Sequence, residues 1–206
     1  MATFLQLEDY FARFTGESGA TAIDSSGADL LNDANKELAA RIPLECNKKT
    51  ATCTISSGSV DLPADFDFAH TDKIQVYTYT STTKYEYNPV TMDEFSSYDT
   101  SDYVYAIDYE NKHIKAPSDV ALTVVYYAVP ATITDTATII LFPIPQVIAR
   151  LAAGNFFQSI DEDPDQAKVN FQIADALIAQ AELLNKKAKT YKGIRPYGGK
   201  SIGFNS

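Results

Sequence analysis

The chain has 206 residues, enough for one domain or for one domain carrying an insertion, and long enough to bury about 70% of its unfolded surface. Its 45% apolar and 21% charged residues exclude wholesale disorder, and no apolar run reaches the ~18 residues of a membrane span, the longest, Ala137–Ile148, being broken by Pro143 and Pro145. The net charge of −10 is uneven: Lys186–Ser206 holds six basic residues and no acidic one, which leaves an acidic body of −16 that is ill suited to wrapping nucleic acid.

Met1–Phe14 carries Glu8 and Asp9 and no basic leader, so it is expected to be a helix and not a signal peptide. Thr3 is placed to cap that helix, Phe4, Leu7, Phe11 and Phe14 share one face, and Gly16 stops it. A second helix follows Ser26, with the stripe Leu31, Ala34, Leu38 and Ile42, and Pro43 ends it. From Thr50 the period becomes two. Thr52–Ile55, Val60–Leu62, Ile74–Tyr79, Tyr85–Tyr87, Tyr103–Ile107, Ile114 onward and Ala121–Val129 read as six or seven short strands of a small antiparallel sandwich or barrel. Pro145 suits the first turn of a third helix. Asp163-Pro164 opens a fourth, with apolar positions Val169, Ile173, Leu177, Ala181 and Leu184 opposite a polar stripe through Lys168, Gln172, Asp175, Ala179, Glu182 and Lys186. The pattern fades after Ala188 into a glycine-rich tail.

Neither helix pair has a core of its own, so the two must pack on each other with the strands inserted between them. The expected class is therefore α+β: helices in 1–49, an inserted β domain in 50–130, helices completing the bundle in 131–187, and an extended basic tail in 188–206.

The chemistry-bearing motifs fail their tests one by one. Gly199-Lys200-Ser201 has the end of a phosphate loop but the wrong glycine spacing, with no strand before it and no helix after it. Asp161, Asp163 and Asp165 alternate like a calcium loop, yet Gln166 and Gln172 stand where glycine and glutamate are needed, so they read as acids at a helix N-terminus. No Gly-x-Ser-x-Gly elbow occurs, and His70 and His113 sit in no catalytic context. No enzyme activity, metal or cofactor is expected. Cys46 and Cys53 are expected as reduced thiols, with pairing across a hairpin left open.

Two features point to binding. Ten of the thirteen tyrosines lie between Tyr77 and Tyr127, and Tyr77, Tyr79, Tyr85, Tyr87, Tyr98 and Tyr103 are candidate contacts with other subunits or a further protein. In the tail, Lys189, Tyr191, Lys192, Ile194, Arg195, Tyr197, Lys200, Ile202 and Phe204 interleave basic and apolar groups, a pattern whose charge would draw nucleic acid and which could equally add as a strand to another protein's sheet edge.

From Leu62 to Leu184 the chain resembles the head-to-tail adaptor (connector) proteins of tailed bacteriophages. The resemblance rests on Leu62-Pro63-Ala64-Asp65-Phe66, Tyr105–Pro117 (YAIDYENKHIKAP), Leu122–Pro130 (LTVVYYAVP), Thr134-Asp135, Ile139–Pro145, Ala152-Ala153-Gly154-Asn155-Phe156 and Asp161-Glu162-Asp163-Pro164. It implies a helical bundle with a β insertion, and a structural virion protein at the capsid vertex. Such adaptors form a ring, commonly of twelve copies, beneath the portal protein. The ring extends the DNA channel towards tail tube, stopper or nozzle proteins, and genomic DNA passes through its lumen without sequence-specific binding. The resemblance implies portal binding by the tail and no membrane partner. The competing readings are a stopper or tail-completion protein, a virion-associated cell-wall hydrolase and a tyrosine-rich glycan-binding module.

Overall fold

Helix-forming and strand-forming stretches are segregated along this chain, and the computed structural model, which describes residues 2–16, 25–140 and 144–193, is a mixed α+β fold with two hydrophobic cores. The chain begins with β1 (Ala2–Thr3) and α1 (Phe4–Thr15). The Thr3 hydroxyl accepts from the Gln6 N–H while the Gln6 side chain accepts from the Thr3 N–H, satisfying two otherwise orphaned donors. Gly16 ends α1 in the left-handed conformation, φ 78°, as its position in the sequence suggests. Helix α2 (Ser25–Arg41) buries Leu31, Ala34 and Leu38, and Ile42 follows into the same core.

The strands are β2 (Lys48–Thr54), β3 (Ser59–Asp61), β4 (Gln75–Thr80), β5 (Thr83–Pro89), β6 (Val104–Asp108), β7 (His113–Lys115) and β8 (Ala121–Tyr127), in the order β2-β8-β4-β5-β6-β7-β3. The outermost strands, β2 and β3, approach one another, so this one sheet nearly closes on itself. Val76, Leu122, Val124, Ile107 and Ile114 fill its interior together with Phe66 and Tyr126.

One pairing departs from the antiparallel expectation: β5 and β6 run parallel, through Asn88↔Val104 and Pro89↔Tyr105. A parallel pair needs a crossover, and the segment 90–103 supplies it with the short helix α3 (Met92–Phe95), whose first turn is closed by a Thr91–Glu94 capping box. A second departure is β9 (Ile139–Ile140), which pairs with β1 and ties the start of the chain to the segment leading into α4.

Helices α4 (Gln146–Ser159) and α5 (Pro164–Gly193) complete the helical core. Helix α4 packs against α1, α2 and α5, and buries Val147, Ile148, Leu151, Ala152 and Ala153 completely. Its small residues permit close approach. A Cβ added at Gly154 would stand 2.5 Å from the Phe171 ring on α5. The Asp163 carboxylate accepts from the N–H groups of Asp165 and Gln166 and so caps α5, the role expected of this acidic segment.

Helix α5 corrects two expectations. It continues to Gly193, past the fading of the pattern at Ala188, so the part of the tail from Ala188 to Gly193 is helical and not extended. Its covered face is Ala167, Asn170, Ala174 and Ala181, with Leu177 and Ile178 half-buried, whereas the expected core positions Val169, Ile173 and Leu184 are exposed.

A polar junction joins the β and helical cores. The buried His70, in the 3-10 turn Phe68–Lys73, has Nε2 2.7 Å from the Ala39 carbonyl of α2, and its ring lies edge-on to Tyr127. The Tyr127 hydroxyl donates to Glu45 at 3.2 Å. Since a buried carbonyl and imidazole satisfy each other here, His70 acts as a tether between α2 and the sheet.

Candidate interaction surfaces

The six candidate contact tyrosines do not form one surface. Strand alternation places Tyr77 and Tyr79 on one face of the β4–β5 hairpin, opposite Glu86 and Lys84 in register. Their rings meet edge-on at 5.5 Å, and Lys84 Nζ lies 4.3 Å from the Tyr77 ring centre while also pairing with Glu86. Tyr85 and Tyr87 point to the other face, across from Thr78 and Val76. Tyr103 joins them, stacked on Tyr85 at 5.1 Å and edge-on to Tyr87 at 5.4 Å. Tyr87 is buried and belongs to the β core, while Tyr79 and Tyr103 are exposed. Tyr98 stands apart in the loop after α3.

Between the hairpin and α3 lies a groove of about 620 Å³ whose lining includes Tyr77, Tyr87, Tyr105, Tyr109, Asp72 and Glu86. Sequence reasoning missed it, because its walls come from β4, β5, β6 and the Phe68–Lys73 turn, which only the crossover brings together. Burial, and then the neighbouring Tyr109, push the Tyr105 phenol up to about 12. Tyr109 donates to the Thr71 hydroxyl at 3.1 Å. Asp72 and Glu86 are each paired with an adjacent lysine, Lys73 and Lys84. The lining offers aromatic faces and hydrogen bonds, the chemistry of recognition.

Two of the segments that carried the resemblance, 62–66 and 122–130, meet in space. The Asp65 carboxylate accepts from the Tyr126 hydroxyl at 2.8 Å and from Lys49 at 2.5 Å. Phe66 stacks on Tyr126 at 5.6 Å, and the Val129 N–H donates to the Asp65 carbonyl. The Lys49 hydrogen bond, with a smaller share from Tyr126, holds the Asp65 carboxyl below its ordinary range. This contact clamps the segment 62–66 against the end of β8, so its residues are structural.

Asp108 is a second clamp. Its carboxylate accepts from the side chain and backbone N–H of Asn111 and pairs with Lys115 at 3.0 Å. The Asn111 side chain, then its backbone, then Lys115 hold the carboxyl far below the usual range. A depressed folded pKa means that the unfolded chain binds more protons. The stabilisation is thus full above the ordinary carboxylate pKa of about 4 and is lost as pH falls towards the folded value. Asp108→Asn is therefore expected to melt below the wild type at pH 7, with a gap that begins to narrow below about pH 4 and is still partly open at about pH 2–3. Melting curves across that range check this; a constant gap would show that the charge contributes nothing.

His113 lies on β7 with Nε2 2.8 Å from the Asp61 carboxylate of β3. Among the described residues no group of three or more His, Cys, Asp and Glu is arranged to hold a metal ion, and no helix is long and apolar enough to cross a membrane. Cys46 is exposed, Cys53 is buried in the sheet, and both are free thiols. Of the tail residues, Lys189, Tyr191 and Lys192 fall on α5. Ile194, Arg195, Tyr197, Lys200, Ile202 and Phe204 lie outside the described residues.

The family model described as SU10 adaptor protein matches residues 2–195, nearly the whole chain. No curated protein matches it.

Proposed function

The chain belongs to the SU10 adaptor protein family, and on that premise we propose that it is the head-to-tail adaptor of a tailed phage, a ring of copies beneath the portal that joins the capsid vertex to the tail. The observation that carries this reading is a family match extending from the first helix to the end of the last. In this reading the helical core with its β insertion is the ring-forming body. The basic and apolar residues Ile194, Arg195, Tyr197, Lys200, Ile202 and Phe204 add to a sheet edge of the portal protein. They follow directly on the helix-borne Lys189, Tyr191 and Lys192, so strand addition starts only after Gly193. The acidic body repels the DNA backbone and keeps it mobile in the lumen. The tyrosines of the β4–β5 hairpin and the groove beside it face the next tail component. The protein works by assembly and not by catalysis.

The test is the native mass of the purified protein alone and mixed with a portal ring. The expected result is a ring that forms with the portal in matching stoichiometry. A stable monomer that ignores the portal would overturn the proposal and favour glycan binding at the tyrosine groove.

A further inference from the structure

The groove beside the β4–β5 hairpin holds a group that the fold does not use. Strand alternation puts Tyr105, Ile107 and Tyr109 on one face of β6 and the turn after it, and all three line the groove. Tyr105 is 3% exposed, yet its hydroxyl has no hydrogen-bond partner among the described residues. Those residues contain no sealed side-chain oxygen or nitrogen without a partner, so the Tyr105 hydroxyl opens onto the groove. Burying a phenol without a hydrogen bond is costly, and a ligand that supplies one recovers the loss. Pushed up to about 12, this phenol keeps its proton at neutral pH and stands ready as a donor.

Tyr109 is the opposite case. It is 59% exposed but fixed at both ends: its ring lies 5.9 Å from that of Phe68, and its hydroxyl donates to Thr71. The Asp108 clamp holds the turn in which it stands. An exposed aromatic face that is already immobilised loses little freedom on binding. The groove thus sets an open aromatic face beside a buried hydroxyl donor.

We propose that this groove is a binding site for an uncharged saccharide, with a hexose ring lying against Tyr109 and one of its hydroxyls accepting from Tyr105. The lining selects against other ligands. Among the described residues its charged members are Asp72 and Glu86, each already paired with a lysine, so a cation finds no free carboxylate and an anion finds no cation. A nucleotide is disfavoured by its phosphate. A proline ring has an apolar face but no polar edge to meet Tyr105. A pyranose has both, an apolar face for the aromatic wall and a hydroxyl edge for the phenol. The volume of about 620 Å³ is that of a small-ligand site. The site lies wholly in the β domain and is read on the free chain, so this inference stands apart from the adaptor reading.

The experiment is calorimetric titration of the full chain as wild type, Tyr105→Phe and Tyr109→Ala. The probes are neutral trisaccharides of glucose, galactose, mannose and N-acetylglucosamine, each up to about 10 mM. A galacturonic acid trimer, a proline hexamer and AMP serve as comparisons. The expected result is that at least one neutral trisaccharide binds the wild type and the comparisons do not. Tyr105→Phe is expected to weaken that binding about three- to tenfold at an unchanged melting temperature, because the oxygen it removes bonds nothing within the chain. Tyr109→Ala is expected to weaken it about tenfold through the lost ring face. No binding by any of the four sugars would overturn the saccharide as ligand, and tighter binding of a comparison would overturn its class. Wild-type affinity in both variants would overturn the groove as the site. A lower melting temperature for Tyr105→Phe would show a hydroxyl bonded within the fold and overturn it as the ligand contact.

Discussion

Cut after Gly193, the protein is expected to keep its melting temperature and to lose its binding to the portal ring. Among the described residues both hydrophobic cores are built upstream of Gly193, so stability is expected to change by no more than about 0.5 kcal/mol, or about 2 °C for a chain of this size. The deletion removes Arg195, Lys200, Ile194, Tyr197, Ile202 and Phe204 in one step. It leaves Lys189, Tyr191 and Lys192 on α5. Strand addition depends on a run of backbone amides, with side chains setting register, so losing the whole segment abolishes binding where point changes would only weaken it. Co-sedimentation of the truncated and full chains with portal rings, beside their melting curves, checks both halves. A truncated chain that still joins the portal would move the binding onto the helix-borne residues or the body.

Local signals were the legible ones. The Thr3 cap, the Gly16 stop and the Asp163-Pro164 start each act within one turn, and all three stand where the sequence puts them. Strand β8 was legible because Leu122, Val124 and Tyr126 alternate into a core. Features set by the path of the chain were not. The direction of β6 relative to β5 depends on how 90–103 crosses over, and no residue pattern encodes that. The groove shares this origin, since its walls meet only through the crossover. Helix α5 was misread for a different reason. Its apolar arc spans two adjacent stripes, and helical period shows that an arc is apolar without showing which half the neighbours cover. Thus Val169 and Ile173 looked like core, while Asn170, which accepts from Arg150 at 2.7 Å, is the buried residue between them. The family signature around Asp65 was legible as a string of letters. Its meaning, a carboxylate joining Lys49 to Tyr126, required the fold.

Leu151→Ala is expected to cost about 2–5 kcal/mol, against the 5–15 kcal/mol that typically holds a protein of this kind together. Leu151 has no exposed surface, and it sits on the one helix that α1, α2 and α5 all pack against. The cavity left by the missing atoms cannot collapse easily between helices already drawn close at Gly154 and Phe171. At about 2–4 °C per kcal/mol, the melting temperature falls by about 4–20 °C. Leu183→Ala is the matched control, because it removes the same atoms from a side chain that is 60% exposed. It is expected to leave the monomer within about 0.5 kcal/mol of wild type. Equal losses at the two positions would show that α4 is not the centre of the helical core. A large loss at Leu151 beside none at Leu183 would mean that Leu183 does nothing for the isolated fold, leaving assembly as the place where so large an apolar side chain is put to use.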